Sequence, residues 1–439
     1  MGENGRRSCS FQTLLAIQPE DEGLSQDQGL GSWKTSSASK TLGATYALLL
    51  ECLLGADEVR VRASFDTRVI SKWQMEKFTQ QLGFIIKQLS AAKLGQLVGE
   101  VESLTLENER TLWNWNKTVP VAIERLLHES ISKQAKLHPD TPAVDSWDGK
   151  LNYQELNVLA GRVAEHLIAL GVGDGIIVPL FFEKSIWGVV AMLAILKAGG
   201  AFVGMDTSQA TDRRERILND INAKFVLTSI EHANILHDSK YTIVPVGPHT
   251  LSTTTNSTRK LTSSNGGGSR SGATIDLTAY LMFTSGSTGQ PKGVRTSHLA
   301  ASTSCFHHGR AFGFSASTRT LQFAAYTFDI GFTEIFTTLL FGGCICVPSD
   351  NERLTAIEAS INRMNVNLCF LTPTVSRLIR PNQVPSVTKM LLGGEKITDD
   401  DINRWRSPKC TWYVDAPSFT CLLTYADISY SECSKTTLS

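Results

Sequence analysis

The chain has 439 residues, 42% of them hydrophobic, with 42 basic and 42 acidic side chains. This length and composition predict two or three domains with buried cores, and the balanced charge argues against nucleic acid as a partner. The charged N-terminus lacks the apolar core of a signal peptide, and no apolar run is long enough to span a bilayer. We therefore expect a cytoplasmic protein without a membrane partner.

The first part of the chain predicts a small unit of strands and a helix. Polar and apolar residues alternate over 58–65, which indicates a half-exposed strand, and apolar residues recur at helical spacing over 73–89. The stretch 104–119, with its Trp-Asn repeat, is interpreted as a linker. We therefore assign residues 1–103 to one domain and residues 104–120 to the linker.

From residue 121 onward, predicted strands alternate with predicted helices. This order indicates an α/β domain with a parallel sheet and helices on both faces. The predicted helices are 123–137, 151–171, 185–197, 210–221, 299–306, 332–340 and 356–364. The predicted strands are 176–182, 201–205, 225–228, 280–283, 320–323, 344–347, 368–371 and 390–395. The domain is predicted to cover 121–407, with a disordered Ser/Thr/Asn/Gly insertion at 248–274 and a divergent tail at 408–439.

A segment rich in Thr, Ser and Gly follows the predicted strand at 280–283 and ends in Pro-Lys-Gly. Glycine lets backbone N–H groups turn toward an anion, hydroxyl groups add donors, and lysine adds positive charge. The spacing matches neither a Walker loop nor GxGxxG. A flexible linker is the alternative, although linkers rarely follow an apolar strand and end in Pro-Lys-Gly. We predict a loop that binds phosphate groups, formed by Thr284, Ser285, Gly286, Ser287, Thr288, Gly289 and Lys292.

The string TSGSTGQPKG at 284–293 resembles the signature loop of the adenylate-forming enzymes, which include acyl-CoA synthetases, luciferases and the adenylation domains of nonribosomal peptide synthetases. Other segments resemble peptide-synthetase adenylation domains in the same order: LNYQEL at 151–156, LKAGGAFVGMD at 196–206, YTFDIG at 326–331 and LGGE at 392–395. Gly204 stands where that family usually has proline. The resemblance implies the stacked parallel-sheet α/β subdomains of an adenylate-forming N-terminal domain, with ATP and Mg²⁺ as cofactors.

The aspartate that matches Asp329 holds the α-ammonium group of the substrate in the resembled family. A carboxylate that faces a cation in a water-excluding pocket interacts strongly with it. The resemblance implies that the rest of the amino-acid pocket is formed by Ile330, Thr333, Phe370, Leu391 and Gly393. Two alternatives remain, since Asp329 could cap the following helix and the other residues could belong to the core.

Residues 1–116 resemble the C-terminal end of a condensation domain, through residues 11–15, residues 61–66 and the Trp-Asn repeat. We interpret this part as an α+β remnant without condensation activity, because the catalytic histidine half has no counterpart. The pair His307 and His308 lacks the Asp-Gly of the HHxxxDG motif. We interpret it as a pair at a helix end.

After Glu395 the chain does not follow the family pattern N-x-Y-G-P-T-E, and the lid with its catalytic lysine has no counterpart. We therefore regard the adenylation domain as incomplete and assign neither a catalytic residue nor a metal ligand. The lid lysine and Mg²⁺ supply much of the charge that stabilises displacement at the α-phosphate, so we expect weak binding and little turnover. A carrier domain with phosphopantetheine is also missing or acts in trans.

The sequence thus predicts a truncated fragment of a fungal-type nonribosomal peptide synthetase of secondary metabolism. The parent reaction activates an α-amino acid with ATP as an aminoacyl-adenylate and loads it on a carrier-protein thiol. The expected partners are the amino acid, ATP and other synthetase modules or carrier proteins. Two alternatives are a catalytically inactive or docking fragment and an acyl-CoA-ligase-like enzyme; Asp329 and the Trp-Asn repeat disfavour the latter.

Overall fold

The computed structural model describes residues 13–19, 46–56, 58–234, 240–248, 275–285, 291–406 and 411–414. The chain divides into two compact units, 1–117 and 118–439. Each unit has its own sheet structure and its own buried residues.

The first unit is a three-stranded sheet with two helices. Its elements are β1 (Thr13–Pro19), β2 (Leu48–Leu54), β3 (Val59–Phe65), α1 (Lys72–Ser90) and α2 (Leu106–Asn116). β1 runs parallel to β2, and β3 runs antiparallel to β2. The ring centroids of Trp73 on α1 and Trp115 on α2 lie 6.0 Å apart, and Lys77 Nζ lies 2.6 Å from Glu107 Oε1. The stretch interpreted as a linker therefore contains a helix that packs against α1.

The second unit contains two larger sheets. Its strands are β4 (Pro142–Ser146), β5 (Gly149–Asn152), β6 (Ile177–Phe181), β7 (Ala201–Gly204), β8 (Phe225–Thr228), β9 (Thr242–Pro245), β10 (Thr278–Ser285), β11 (Pro291–Ser297), β12 (Arg319–Leu321), β13 (Cys344–Val347), β14 (Leu368–Leu371), β15 (Lys389–Leu392) and β16 (Thr411–Val414). The six-stranded sheet has the order β11-β10-β7-β6-β8-β9, and the seven-stranded sheet has the order β16-β15-β14-β12-β13-β4-β5. The edge strands β11 and β5 are antiparallel to their neighbours, and the other pairs are parallel.

Helices cover these sheets. They are α3 (Leu127–Leu137), α4 (Tyr153–Leu170), α5 (Ile186–Lys197), α6 (Thr211–Asp220), α7 (His298–Ala311), α8 (Asp329–Phe332), α9 (Thr338–Leu340), α10 (Asp350–Thr355), α11 (Ile357–Arg363), α12 (Pro373–Leu378) and α13 (Asp399–Trp405). A π-helical turn, Thr333–Thr337, joins α8 to α9 into one helical segment.

Local sequence explains where α4 begins and ends and where α5 begins. Asn152 and Glu155 form a capping box at the start of α4, and Gly171 ends it with φ at 101°. Ser185 caps α5 through a bond from the Gly188 amide. Nearly all residues of α5 are buried, because this helix is apolar on every side and packs among α4 and the sheets.

The α/β class with parallel sheets is confirmed, and most predicted elements are present. The helical segment predicted to start at residue 332 starts at Asp329, and α3 starts at Leu127 instead of residue 123. In this unit, the strands β5, β9, β11 and β16 were not predicted, because their short or polar sequences become strands only through their neighbours in the sheet. Apart from its first residue, the predicted insertion at 248–274 lies outside the described residues, as does most of the predicted tail.

Candidate functional site

The candidate site lies where the parallel strands of both sheets end. In the six-stranded sheet, β10 runs parallel to β7, so the end of β10 at Ser285 and the end of β7 at Gly204 lie on the same edge. In the seven-stranded sheet, β12, β14 and β15 are parallel and also share one edge. Open α/β sheets bind their ligands outside the carboxyl ends of the strands. This is where the candidate residues are concentrated.

The predicted phosphate loop joins the two strands of a hairpin. Thr284 on β10 stands opposite Lys292 on β11, and Ser285 stands opposite Pro291. The Thr284 hydroxyl donates a hydrogen bond of 3.4 Å to the Lys292 carbonyl, and both of these residues are exposed. The structure thus brings the two ends of the loop together. Four predicted loop residues lie outside the described part of the chain: Gly286, Ser287, Thr288 and Gly289.

Asp329 is the first residue of α8. Phe328 occupies the N-cap position, so Asp329 does not cap the helix as the capping alternative predicted. Its Oδ1 accepts a hydrogen bond of 2.8 Å from the Ile330 amide. The Phe332 ring stacks on Tyr280 of β10, with 4.1 Å between the ring centroids. Burial raises the pKa of Tyr280, and the negative charge of Asp329 adds to the shift. Asp329 therefore begins a helical segment that rests on the strand leading to the loop.

The apolar pocket candidates come together on the other side of this helical segment. Ile330, Phe370 and Leu391 are all buried in one hydrophobic cluster, and Phe370 and Leu391 are direct neighbours on β14 and β15. The other buried members of the cluster are Phe312, Phe314 and Leu368. Thr333 is also buried, in the π-helical turn, and the Gly393 amide donates to the Leu371 carbonyl over 3.2 Å. This arrangement is compatible with a pocket wall and also with the core alternative.

Beneath Asp329 lies a buried polar network that the sequence did not reveal. Lys184, which follows β6, donates through Nζ to Gln322 Oε1 over 2.7 Å and to the Ala324 carbonyl over 2.6 Å. Glu334, in the π-helical turn, accepts from Gln322 Nε2 and from the Ala324 amide, each over 3.1 Å. Lys184 Nζ also lies 5.0 Å from the centroid of the Tyr326 ring. Two signals in the sequence could have pointed to this network: Lys184, which follows an apolar strand, and Glu334, which fits the family segment that contains Asp329.

Burial controls the ionisation of the two charged groups in this network. It lowers the pKa of Lys184 to about 7, against the opposite pull of the Glu334 charge. It also raises the pKa of Glu334 to about 8, although Lys184 and the hydrogen bonds at Glu334 act against this shift. Desolvation therefore outweighs attraction for both groups. Such perturbed groups in a cleft are typical of functional sites and of structural ion pairs alike.

Two glycines allow the turn before Asp329 to pack closely. A Cβ placed on Gly204, at the end of β7, would lie 2.2 Å from the Tyr326 carbonyl oxygen. A Cβ placed on Gly331 would lie 2.6 Å from the Ala325 carbonyl oxygen. Both contacts are shorter than any side chain tolerates, so the position of this turn depends on glycine at both places.

The histidine pair lies in the last turns of α7, as predicted for a helix end. His308 is buried, with Nε2 at 2.6 Å from Thr337 Oγ1. Within the described residues, no group of three or more His, Cys, Asp or Glu side chains is arranged to hold a metal ion. None of the helices described has both the length and the apolar character needed to cross a membrane.

Comparisons with known proteins point to one family. Residues 131–411 match the family described as AMP-binding enzyme. The nonribosomal peptide synthetase TES of Alternaria alternata is 41% identical over 406 residues, which are 92% of this chain and 8% of TES. The nonribosomal peptide synthetase atnA of Emericella nidulans is 41% identical over 400 residues, which are 91% of this chain and 5% of atnA. The chain therefore spans a small part of the length of these relatives.

Solved structures show the same fold. The structure of the nonribosomal peptide synthetase FmoA3 has a TM-score of 0.65 at 20% identity and covers 91% of this chain and 43% of that chain. An N-terminal subdomain of Klebsiella oxytoca NpsA has a TM-score of 0.57 at 22% identity and covers 66% of this chain and 73% of that chain.

Proposed function

This chain belongs to the AMP-binding enzyme family, and on that premise we propose that residues 121–407 are the adenylation part of a nonribosomal peptide synthetase. They would activate an α-amino acid with ATP as an aminoacyl-adenylate. The observation that carries the proposal is the stacking of Phe332 on Tyr280, because it joins the helical segment that Asp329 begins to the strand that leads to the loop. The relatives TES and atnA support it, since both are nonribosomal peptide synthetases that align with more than nine tenths of this chain.

Each proposed group has a distinct role in the reaction. The Asp329 carboxylate would hold the α-ammonium of the amino acid, while the loop residues 284–289 and Lys292 would hold the phosphates of ATP. A carboxylate oxygen of the amino acid would then form a bond to the α-phosphorus, and the bond from that phosphorus to the pyrophosphate oxygen would break. The protein would contribute orientation and electrostatic stabilisation of the charged oxygens.

The side-chain pocket is proposed to include Ile330, Thr333, Phe370, Leu391 and Gly393. The buried, apolar surroundings of Phe370 and Leu391 favour an amino acid without a charged side chain, since those surroundings offer a charged group no partner. Mg²⁺ is implied by the family and would neutralise phosphate charge when bound. Among the described residues, no group of three or more His, Cys, Asp or Glu side chains is arranged to hold it.

The further parts of the assembly are proposals of the same kind. Residues 1–103 would be the end of a condensation domain, with 104–120 as the connection to the adenylation domain. A carrier protein with a phosphopantetheine thiol, in trans or elsewhere in a larger synthetase, would receive the aminoacyl group. The cytoplasm is the proposed compartment.

The test is amino-acid-dependent exchange of pyrophosphate into ATP, measured on the full chain with the twenty common amino acids. We expect exchange with one amino acid or a small related group. Asp329→Ala should lower that exchange about 10- to 100-fold, because a hydrogen bond to a charged group contributes about 1.5–3 kcal/mol. Asp350→Ala is the matched control, since Asp350 is an exposed aspartate in the first turn of α10 and should leave exchange unchanged.

Other results would contradict the proposal. A well-folded chain that shows no exchange with any amino acid would favour a non-catalytic fragment. Exchange that depends on a fatty or aryl acid and not on amino acids would favour an acyl-CoA-ligase-like enzyme. Equal losses in the Asp329 and Asp350 variants would remove the role proposed for Asp329.

A further inference from the structure

We infer that Lys184 is a positioning residue for Asp329: it holds the turn at residues 322–328 in the place from which Asp329 begins its helical segment. The consequence for substrate binding rests on the amino-acid pocket proposed above, whereas the positioning itself does not. Lys184 follows β6 of the six-stranded sheet, and the turn follows β12 of the seven-stranded sheet. Lys184 thus connects the carboxyl edges of the two sheets.

The hydrogen bonds around Lys184 hold the turn from two sides. Gln322 and Ala324 each accept a hydrogen bond from Lys184 Nζ and each donate another to the Glu334 carboxyl group. A side-chain amide and the backbone polar groups of Ala324 therefore lie between Lys184 and Glu334. Hydrogen bonds at both ends of these two groups fix the turn more firmly than a hydrogen bond at one end would.

A continuous series of backbone hydrogen bonds connects the turn to the helical segment that Asp329 begins. The Phe328 amide donates to the Ala325 carbonyl, and the Gly331 amide donates to the Phe328 carbonyl, each over 3.0 Å. Glu334 lies in the same helical segment as Asp329, so the segment is attached to the network a second time. Removing the ammonium would leave the Ala324 carbonyl without its strongest donor and would loosen the turn on which Asp329 depends.

A matched control exists in the same unit. Lys197, on α5, is also partly buried and donates to Ser132 Oγ over 3.0 Å and to Asn157 Oδ1 over 2.8 Å. Burial lowers the pKa of Lys197 as it lowers that of Lys184. Its hydrogen-bond partners belong to α3 and α4 and not to the turn. Lys197→Met therefore removes a comparable lysine without touching the turn.

The experiment is amide hydrogen exchange followed by mass spectrometry on the full chain, in the absence of substrate. Lys184→Met should speed exchange of the amides at 324–331 about 10-fold or more, while peptides from α4 stay unchanged. Lys197→Met should leave 324–331 unchanged. Glu334→Gln, which has the same shape and is expected to fold, should speed exchange at 324–331 in the same direction. Unchanged exchange there in both Lys184→Met and Glu334→Gln would overturn the inference.

A second measurement separates this inference from the proposed function. If the wild-type chain supports exchange of pyrophosphate, Lys184→Met should raise the KM for the amino acid about 10-fold or more with little change in the KM for ATP. Among the described residues, Lys184 and Glu334 form their hydrogen bonds with the turn and not with the loop. Equal increases in both KM values would show a general structural role and overturn the inference. If the wild-type chain shows no exchange, the proposed function fails, and the hydrogen-exchange experiment still decides whether Lys184 positions the turn.

Discussion

Gly204 illustrates, at the scale of one residue, how a missing side chain shapes the candidate site. Proline is usual at this place in the resembled family, and here the backbone of Tyr326 occupies the space that a Cβ would need. The family motif shows that glycine replaces proline at position 204, but it does not show the structural consequence. The residue that fills the space, Tyr326, lies more than a hundred positions away in the chain.

Gly204→Ala is expected to push the turn before Asp329 away from β7. Overpacking of this kind costs about 1–3 kcal/mol, so urea unfolding should show a lower free energy of unfolding. Pyrophosphate exchange should fall through a higher KM for the amino acid, because the turn carries Asp329.

Gly161→Ala is the control for that substitution. Gly161 lies within α4, and a Cβ there meets no atom within 4 Å. The change should leave stability equal or higher by up to about 1 kcal/mol, because alanine is the better helix former. If both alanine variants behaved alike, the close contact at Gly204 would not be what positions the turn.

The site residues differ in how far the sequence could predict them. Asp329 and the loop residues were found because they lie in contiguous motifs. Glu334 fits the same family segment five residues after Asp329, but its partners were not predicted. Lys184 was not found, because it bonds to Gln322 and Ala324 at separations of 138 and 140 residues, which the fold alone brings together. The pocket candidates on β14 and β15 were placed by resemblance, and the apolar character that marks them is shared with ordinary core residues.

At the scale of the element, the helical segment that begins at Asp329 is held at its far end by α4. The Tyr153 hydroxyl is buried and lies 3.1 Å from the Leu339 carbonyl oxygen and 2.8 Å from that of Gly343. Burial raises the pKa of this tyrosine, so it remains a hydrogen-bond donor across the accessible pH range. The same segment contains a π-helical turn, a feature often found at functional sites.

Tyr153→Phe should therefore weaken the attachment of this segment without disturbing Asp329. We expect a loss of about 1–2 kcal/mol in the free energy of unfolding, because the Gly343 carbonyl loses its hydroxyl donor, while the Leu339 carbonyl keeps a hydrogen bond from the Gly342 amide. Urea unfolding measures the loss, and the KM for the amino acid should stay as in the wild type. A changed KM with unchanged stability would contradict this division of roles between the two ends of the segment.

The elements that the sequence predicted best have clear caps: α4 is amphipathic with a capping box at its start, and α5 is a long apolar run capped by Ser185. The start of the segment at Asp329 was predicted three residues late, because Phe328 ends the preceding turn without a capping side chain. β11 was missed because its polar sequence forms a strand through pairing with β10. In each case tertiary contacts decided what local propensity left open.

At the scale of the whole molecule, three buried histidines should make stability depend on pH. Burial lowers the pKa of His128 to about 3, that of His298 to about 4 and that of His308 to about 3. An unfolded histidine titrates near 6.5, so below that pH the unfolded chain binds more protons than the folded one. The contribution of these histidines to stability is therefore full above pH 6.5 and is lost as the pH falls toward 4.

Glu334 acts in the opposite direction. Because its pKa is raised to about 8 in the folded chain, its contribution grows as the pH falls from 8 toward 4.5. Because three histidines lower the stability and one glutamate raises it, the protein should lose stability as the pH falls below 6.5. Each histidine that Glu334 does not offset changes the free energy of unfolding by up to about 1.4 kcal/mol per pH unit.

The measurement is urea unfolding of the wild type and His308→Gln at pH 7, 6 and 5. The wild type should lose stability steeply below pH 6.5. The variant should lose about 1.4 kcal/mol less per pH unit, because one buried histidine no longer has to be protonated on unfolding. Parallel curves for the two proteins would show that His308 does not contribute to the pH dependence.

The network around Lys184 also has a consequence for how such chains can evolve. Because Gln322 and Ala324 are bonded to both the cation and the carboxylate, exchanging Lys184 alone leaves a buried carboxylate with less compensation, and exchanging Glu334 alone leaves a buried ammonium. A substitution of Lys184 or Glu334 alone should therefore lower the free energy of unfolding. Replacing both by apolar residues of similar volume should leave the stability nearly unchanged. We therefore expect Lys184, Gln322 and Glu334 to change together, although Lys184 and Gln322 lie 138 residues apart in the chain.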